Sequence, residues 1–326
     1  MRFQAVEFRK MRRFSLFNEA QTLFPRSKGL IVRKRFGLSL LEVILVIAII
    51  AVLVGIMLPA IQKARDAAAR ASCQSKLRQL AIGVHGYAAT NQTLPQGCSY
   101  PFLPANTTMF TQFAVSWQTN ILPYIDQTGL WDEGWRAYSA SPRGGTAEYD
   151  QVMASIVPLF LCPSEARRQG AVMPNQIWGL TSYQGIAGTG IQVEDGVFHP
   201  NFTVRFADIA DGTSNTVMIG ERPPGPKGIF GSWFAGDGAC ICPLSQILPA
   251  AYSTPLTGYG VVCISGPSLR PGNIDDGCST VYFWSLHTNG ANFAFADGSV
   301  HFLTYSQSNI LPALATRDGG EPVSVD

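Results

Sequence analysis

The chain is predicted to be an α+β protein in which a long N-terminal helix, first transmembrane and then amphipathic, packs on a mostly antiparallel β head. Three observations carry that prediction. Leu38–Leu58 is a 21-residue apolar run with one charge, Glu42. Beyond it, Cys73, Leu77, Leu80, Val84 and Tyr87 recur at spacings of four, three, four and three, one apolar stripe along a helix. From Leu94 on, helical periodicity is sparse and short apolar runs are bounded by turn signals, with Asp-Gly occurring six times. That dipeptide favours tight turns because both residues tolerate positive φ.

Composition agrees with a folded body. Apolar residues make up 46% and charged residues 14% of the chain, which argues against global disorder. The net charge of +2 hides an asymmetry: residues 1–37 carry a net +8 and the remainder a net −6. The basic character therefore belongs to the leader, and a nucleic-acid partner for the acidic body has no electrostatic support.

The apolar run comes first. At about 1.5 Å per residue it spans roughly 30 Å, enough for a bilayer core. Arg33-Lys34-Arg35 precedes it directly, so the N-terminal side is expected to stay cytoplasmic and the body to face the other side. A cleaved secretory signal fits the basic flank, but its apolar region is usually about 7–15 residues and ends in an A-x-A-like site. A plain signal anchor leaves Glu42 unexplained, because a carboxylate within such a run costs about 2.5–3.5 kcal/mol on insertion scales. A third reading rests on a resemblance. Arg33-Lys34-Arg35-Phe36-Gly37 resembles the basic leader of type IV pilins and pseudopilins, and Leu38-Ser39-Leu40-Leu41-Glu42 resembles the mature start with glutamate fifth. Leu38 stands where Phe is usual. The leader is long for this class, and a start at a later Met, such as Met11, would shorten it. The resemblance implies cutting between Gly37 and Leu38 by a prepilin peptidase, and methylation of the new amine. That amine would pair with Glu42 of a neighbouring subunit, giving a buried carboxylate its partner.

The second half of the helix follows. Residues Ala60 to Thr90 are rich in Ala, Arg, Lys and Gln, good helix formers, with Lys63, Arg70, Lys76 and Arg78 on the side opposite the stripe. A kink is expected at Pro59, and an end near Asn91, with Pro95 and Gly97 beyond it. In the head, Ala291–Ala296, Asp297-Gly298 and Ser299–Leu303 form the clearest hairpin pattern, with period two on both sides of a two-residue turn. Thr216–Ile219 is a second strand candidate.

Ordered motifs across the body carry a wider resemblance. They include Leu58-Pro59-Ala60-Ile61-Gln62-Lys63-Ala64-Arg65-Asp66-Ala67-Ala68, Cys73-Gln74-Ser75-Lys76-Leu77-Arg78-Gln79, Phe160-Leu161-Cys162-Pro163-Ser164 and Asp211-Gly212-Thr213-Ser214-Asn215-Thr216. Gly220-Glu221 follows, and His287 precedes Asp297-Gly298 by nine intervening residues. The chain resembles domain-of-unknown-function family 1559, large pilin-like proteins with a C-terminal His-x9-Asp-Gly motif. This implies a type II secretion pseudopilin-like membrane protein, and no particular molecular activity. Cys73 and Cys162 match family positions, and a disulfide pinning the helix to the head is the hypothesis attached to them. Cys263 and Cys278 could close a second loop.

His287 and Asp297 could share a proton or ligate an ion, but two ligands are too few and Asp297 has a local role at a turn. Both, with Gly298, are read as a structural motif. Asp208, Asp211, Thr213, Ser214 and Asn215 offer oxygens without EF-hand spacing and are read as a capped turn. The tryptophans could line a carbohydrate site, and more often such residues are core. No catalytic grouping, metal site or cofactor is expected. The organisation is thus a leader at 1–37, a transmembrane helix at 38–58, an amphipathic helix at 59–92 and a β-rich head at 93–326. The expected place is the bacterial inner membrane, single-pass, with the head in the periplasm or outside the cell. The expected partners are prepilin peptidase and other pilin-like subunits or secretion machinery. The alternative is a membrane-anchored binding module for a glycan or protein.

Overall fold

A computed structural model describes Gly37 and residues 39–99, 113–141, 146–173, 176–189, 195–198, 203–228, 231–237, 244–246, 255–256, 261–263, 266–321 and 323. In chain order the elements are α1 (Leu40–Asn91), β1 (Cys98–Ser99), β2 (Phe113–Ser116), α2 (Trp117–Asn120), α3 (Thr128–Ala140) and α4 (Ala147–Met153). Then come β3 (Gln169–Met173), β4 (Gln176–Gly179), β5 (Tyr183–Gly188), β6 (Val217–Glu221), β7 (Ala235–Asp237) and β8 (Leu244–Gln246). The last are β9 (Pro255–Leu256), β10 (Val261–Val262), β11 (Gly290–Phe295), β12 (Val300–Thr304) and α5 (Leu311–Ala315). This is an α+β protein with a long apolar N-terminal helix. The chain divides into two units, 1–56 and 57–326.

In the first unit, α1 opens with a reciprocal cap. The Ser39 amide donates to Glu42 Oε2 at 2.8 Å, and the Glu42 amide donates to Ser39 Oγ at 3.2 Å. This is the Ser-x-x-Glu capping box, which satisfies two amides that have no partner within the helix. Leu40, Leu41, Val43, Ile44 and the apolar residues after them are exposed, and a window of this helix is long and apolar enough to cross a membrane.

In the second unit, α1 buries Cys73, Leu77, Leu80, Ala81, Gly83, Val84 and Ala88, the face that the four-three spacing predicts. They join a core that includes Trp117, Phe160, Trp178, Tyr183, Phe198, Trp233 and Phe234. Gly83 is needed for that approach: a Cβ there would stand 2.7 Å from Ile125 Cγ2. Tyr87, at the end of the stripe, meets the Tyr124 ring edge-on at 5.9 Å.

The main sheet has five strands in the order β12-β11-β6-β5-β8. Its pairings are antiparallel except β5 with β8. The β11–β12 hairpin turns at Asp297-Gly298, where Gly298 takes φ 86°, a conformation that costs glycine nothing. A smaller antiparallel sheet has the order β1-β2-β7. The helices α3 and α4 depart from the expectation of sparse helix after Leu94. Gly129 and Gly134 disguise α3 in the sequence, and Gly134 is there for packing. A Cβ on it would stand 2.8 Å from the Phe234 ring.

Candidate functional site

Four chain segments meet beside the buried face of α1. Asp66 and Cys73 lie seven residues apart on α1 and so share a face after two turns. Cys162 follows the helical turn Pro158–Phe160. Glu221 ends β6. His287 precedes β11 in the segment Ser285–Asn289.

Cys73 and Cys162 are joined in a disulfide with Cα atoms 5.5 Å apart. Cys162 Sγ lies 3.4 Å from His287 Nε2. That nitrogen is also 3.6 Å from Glu221 Oε1, and His287 Nδ1 is 3.7 Å from Asp66 Oδ1. The imidazole therefore stands between two carboxylates and against a disulfide. Its side chain is fully buried, as is all but 2% of the Glu221 side chain. Glu221 is oriented from one side, since the Asn292 amide and Asn292 Nδ2 donate to Oε2 at 2.8 and 2.9 Å. Among the described residues Oε1 accepts no hydrogen bond. Strand register explains this arrangement: Gly220 pairs with Phe293, which brings Glu221 beside Asn292. Ser285 Oγ receives the His287 amide at 3.0 Å, and Thr288 Oγ1 donates to Asp66 Oδ2 at 3.1 Å.

The electrostatics follow from burial and the two carboxylates. Burial by itself lowers the His287 pKa, but the carboxylates of Glu221, then Asp66, outweigh it and the net shift is upward. Tyr183, opposite Glu221 in the β5–β6 ladder, is pushed well up by burial and then by that carboxylate. Tyr305 is raised by burial, with a further push from Glu221. An open pocket of about 410 Å³ borders the centre, lined by Ser285, His287, Thr288, Asn289 and Tyr305 with Pro271 and Gly272.

The remaining sequence candidates are distributed as follows. Gly37 is exposed, and Leu38, with the leader residues 1–36, lies outside the described residues. Glu42 sits in the capping box. His287 and Asp297 are separated by the length of β11, so the pair considered from spacing is not formed. Asp297 Oδ1 instead accepts the Ser299 amide at 2.8 Å in the hairpin turn, beside Gly298. The Asp211 carboxylate is taken up by the amides of Gly319 and Gly320, both at 2.8 Å, and Asp208 pairs with Arg205. Cys263 and Cys278 form a disulfide, and Cys98 is also disulfide-bonded. Lys76, placed by its spacing on the side opposite the stripe, nevertheless reaches the head. Its Nζ donates to Pro158 O at 2.8 Å and Leu161 O at 2.6 Å, fastening the helix to the segment that carries Cys162. Burial, then Arg168, lowers its pKa.

Sequence reasoning did not assign Glu221 or Asp66 to a site. Asp66 carries one recognisable signal, a carboxylate seven residues before Cys73 on the same stripe. Glu221 has a weaker one, a charge closing the apolar run Val217–Gly220.

No curated protein and no solved structure matches the chain. The family model described as "Protein of unknown function (DUF1559)" matches residues 62–309, about three quarters of the chain. Asp66, Cys73, Cys162, Glu221, His287 and Asp297 all fall within the match, whereas Gly37, Leu38 and Glu42 precede it. The chain belongs to the DUF1559 family of proteins of unknown function.

Proposed function

We infer that this is a non-enzymatic pilin-like subunit of the type II secretion pseudopilin kind, cut after Gly37 by a prepilin peptidase and assembled through its N-terminal helix. Family and apolar helix together are compatible with a membrane-anchored extracellular protein. The observation that carries the finer reading is Glu42, the one charge in Leu38–Leu58, placed fifth after a basic leader ending in glycine. The capping box gives that carboxylate a local role in the precursor as well, so charge and cap must be tested apart. Glu42→Gln keeps a side-chain acceptor for the Ser39 amide and removes the charge, whereas Glu42→Val removes both. Pairing with a neighbour's amine predicts that both variants are processed but fail to assemble. Filaments containing Glu42→Gln at wild-type level would sink the pairing and leave only the cap. Mass spectrometry of the mature N-terminus is expected to find methylated Leu38.

A second reading, a glycan-binding head, is favoured by one surface feature. Tyr87, Tyr124, Trp131 and Trp135 line an open groove of about 350 Å³ with Asn91 and Asn120, and the Trp135 side chain is substantially exposed. Aromatic faces with flanking amides suit a sugar ring. Glycan screening of the full chain, with Trp135→Ala as the control, tests it; equal binding by both would remove the groove from consideration.

A further inference from the structure

We propose that reduction of the Cys73–Cys162 disulfide opens a tetrahedral site for a zinc-type divalent cation, with Cys73, Cys162, His287 and Glu221 as its four ligands. The proposal is independent of the assembly reading.

Geometry is the first argument. Each of the four residues offers one ligand atom, and these atoms lie within 4.8 Å of one another, all buried. Zinc bonds to sulfur, imidazole nitrogen and carboxylate oxygen are about 2.0–2.3 Å long, which sets tetrahedral ligand atoms roughly 3.3–3.8 Å apart. The 3.4 Å from Cys162 Sγ to His287 Nε2 and the 3.6 Å from His287 Nε2 to Glu221 Oε1 fall in that range. Two sulfurs, one imidazole and one carboxylate form a donor set that suits a zinc-type ion and disfavours calcium or magnesium.

The surroundings of the ligands are the second argument. A histidine that binds metal through one nitrogen usually directs the other at a carboxylate or carbonyl, which fixes its tautomer. Here Nε2 faces the sulfur and Glu221, while Nδ1 faces Asp66 at 3.7 Å. Asp66 is itself held by Thr288. Glu221 has one oxygen fixed by Asn292 and the other aimed at His287 without a hydrogen-bond donor. A carboxylate oxygen buried in this way is costly unless a cation meets it.

Reduction is required because the metal ligand is the thiolate, and a disulfide has none to offer. A small dithiol supplies the two electrons and is oxidised to its own disulfide. The Cys73–Cys162 bond breaks, both sulfurs become thiolates bound to the cation, and the two protons of the dithiol pass to solvent. His287 binds as the neutral imidazole. The oxidised chain ties helix to head with a covalent bond, and the reduced chain ties the same two cysteines through the ion.

The test uses the full chain in detergent, in an oxidised sample and in one reduced with a dithiol that is then removed under inert gas. Each is titrated with Co²⁺, read by its tetrahedral d–d bands and thiolate charge-transfer absorption, and then with competing Zn²⁺. The reduced chain is expected to show a tetrahedral cobalt spectrum that zinc displaces, and the oxidised chain none. Cysteines elsewhere are reduced as well, so Cys73→Ala/Cys162→Ala in the reduced state must lose that spectrum. His287→Ala and Glu221→Gln must each weaken cobalt binding by at least about tenfold. Glu221→Gln retains an acceptor for Asn292, so it serves even if His287→Ala fails to fold. Equal cobalt binding by oxidised and reduced chains, no tetrahedral spectrum in the reduced chain, or full affinity in Glu221→Gln would each overturn the assignment.

Discussion

Replacing Cys73 and Cys162 together by alanine is expected to destabilise the head by about 2–4 kcal/mol. The size follows from topology. The bridge closes a loop with a sequence separation of 89, and chain-entropy treatment sets the restriction of the unfolded state at about 4.6 kcal/mol for that length. The Cys263–Cys278 bridge has a separation of 15, which corresponds to about 3 kcal/mol in the same treatment. Observed losses usually fall below this ceiling, because unfolded chains retain structure. Alanine is the better replacement here, since a serine hydroxyl would be buried beside His287 and need its own partner. The assay is urea unfolding of the full chain in detergent, followed by tryptophan fluorescence, with Cys263→Ala/Cys278→Ala alongside. Trp117, Trp178 and Trp233 are buried in the core that receives α1, so the signal reports on the relevant packing. A loss below about 0.5 kcal/mol at unchanged m-value, or a larger loss from the shorter loop, would refute the reasoning.

Other consequences are checked in the same preparation. Lys76→Met removes the donor to Pro158 O and Leu161 O and is expected to cost about 1.5–3 kcal/mol, in the range of hydrogen bonds to charged groups; a neutral result would return Lys76 to the solvated face. The pKa of His287 is raised from 6.5 in the folded state, so its contribution is complete below the unfolded value and is lost as pH climbs through the folded one. Unfolding midpoints of the oxidised chain should fall as pH rises above about 6.5, and His287→Gln should flatten that dependence.

The fold was legible where one period dominated. The four-three spacing from Cys73 to Val84 gave the buried face of α1, and alternation around Asp297-Gly298 gave β11 and β12. The helix α3 was hidden because Gly129 and Gly134 read as breakers, while Gly134 is small to admit the Phe234 ring. The centre was half legible. His287 and the cysteines stood out by residue type, but Glu221 reaches them through strand register and Asp66 through helix phase. Neither relation is visible until β6 is set beside β11 and α1 is laid on the core. Lys76 is a related case: an amphipathic helix turns its cations outward on average, yet the carbonyls of Pro158 and Leu161 present acceptors to this one.

The ties between α1 and the head within residues 57–326 are not evenly spread. Later in the helix they are mostly apolar, through Leu77, Leu80, Ala81, Val84 and Ala88, with His85 Nε2 donating to Ala296 O at 2.9 Å. Towards the start they are polar and covalent: Asp66 to Thr288 and His287, Arg70 over the Phe302 ring at 4.5 Å, the Cys73 disulfide and the Lys76 hydrogen bonds. Cys73 is the first buried residue of α1. A helix peeled from its N-terminal end would lose its contacts in sequence, and apolar contacts at such an edge yield one at a time. A covalent bond at the first buried position prevents that progression, because nothing beyond it can open until the sulfur–sulfur bond does. The packing that follows Cys73 must then be lost together with the head rather than ahead of it.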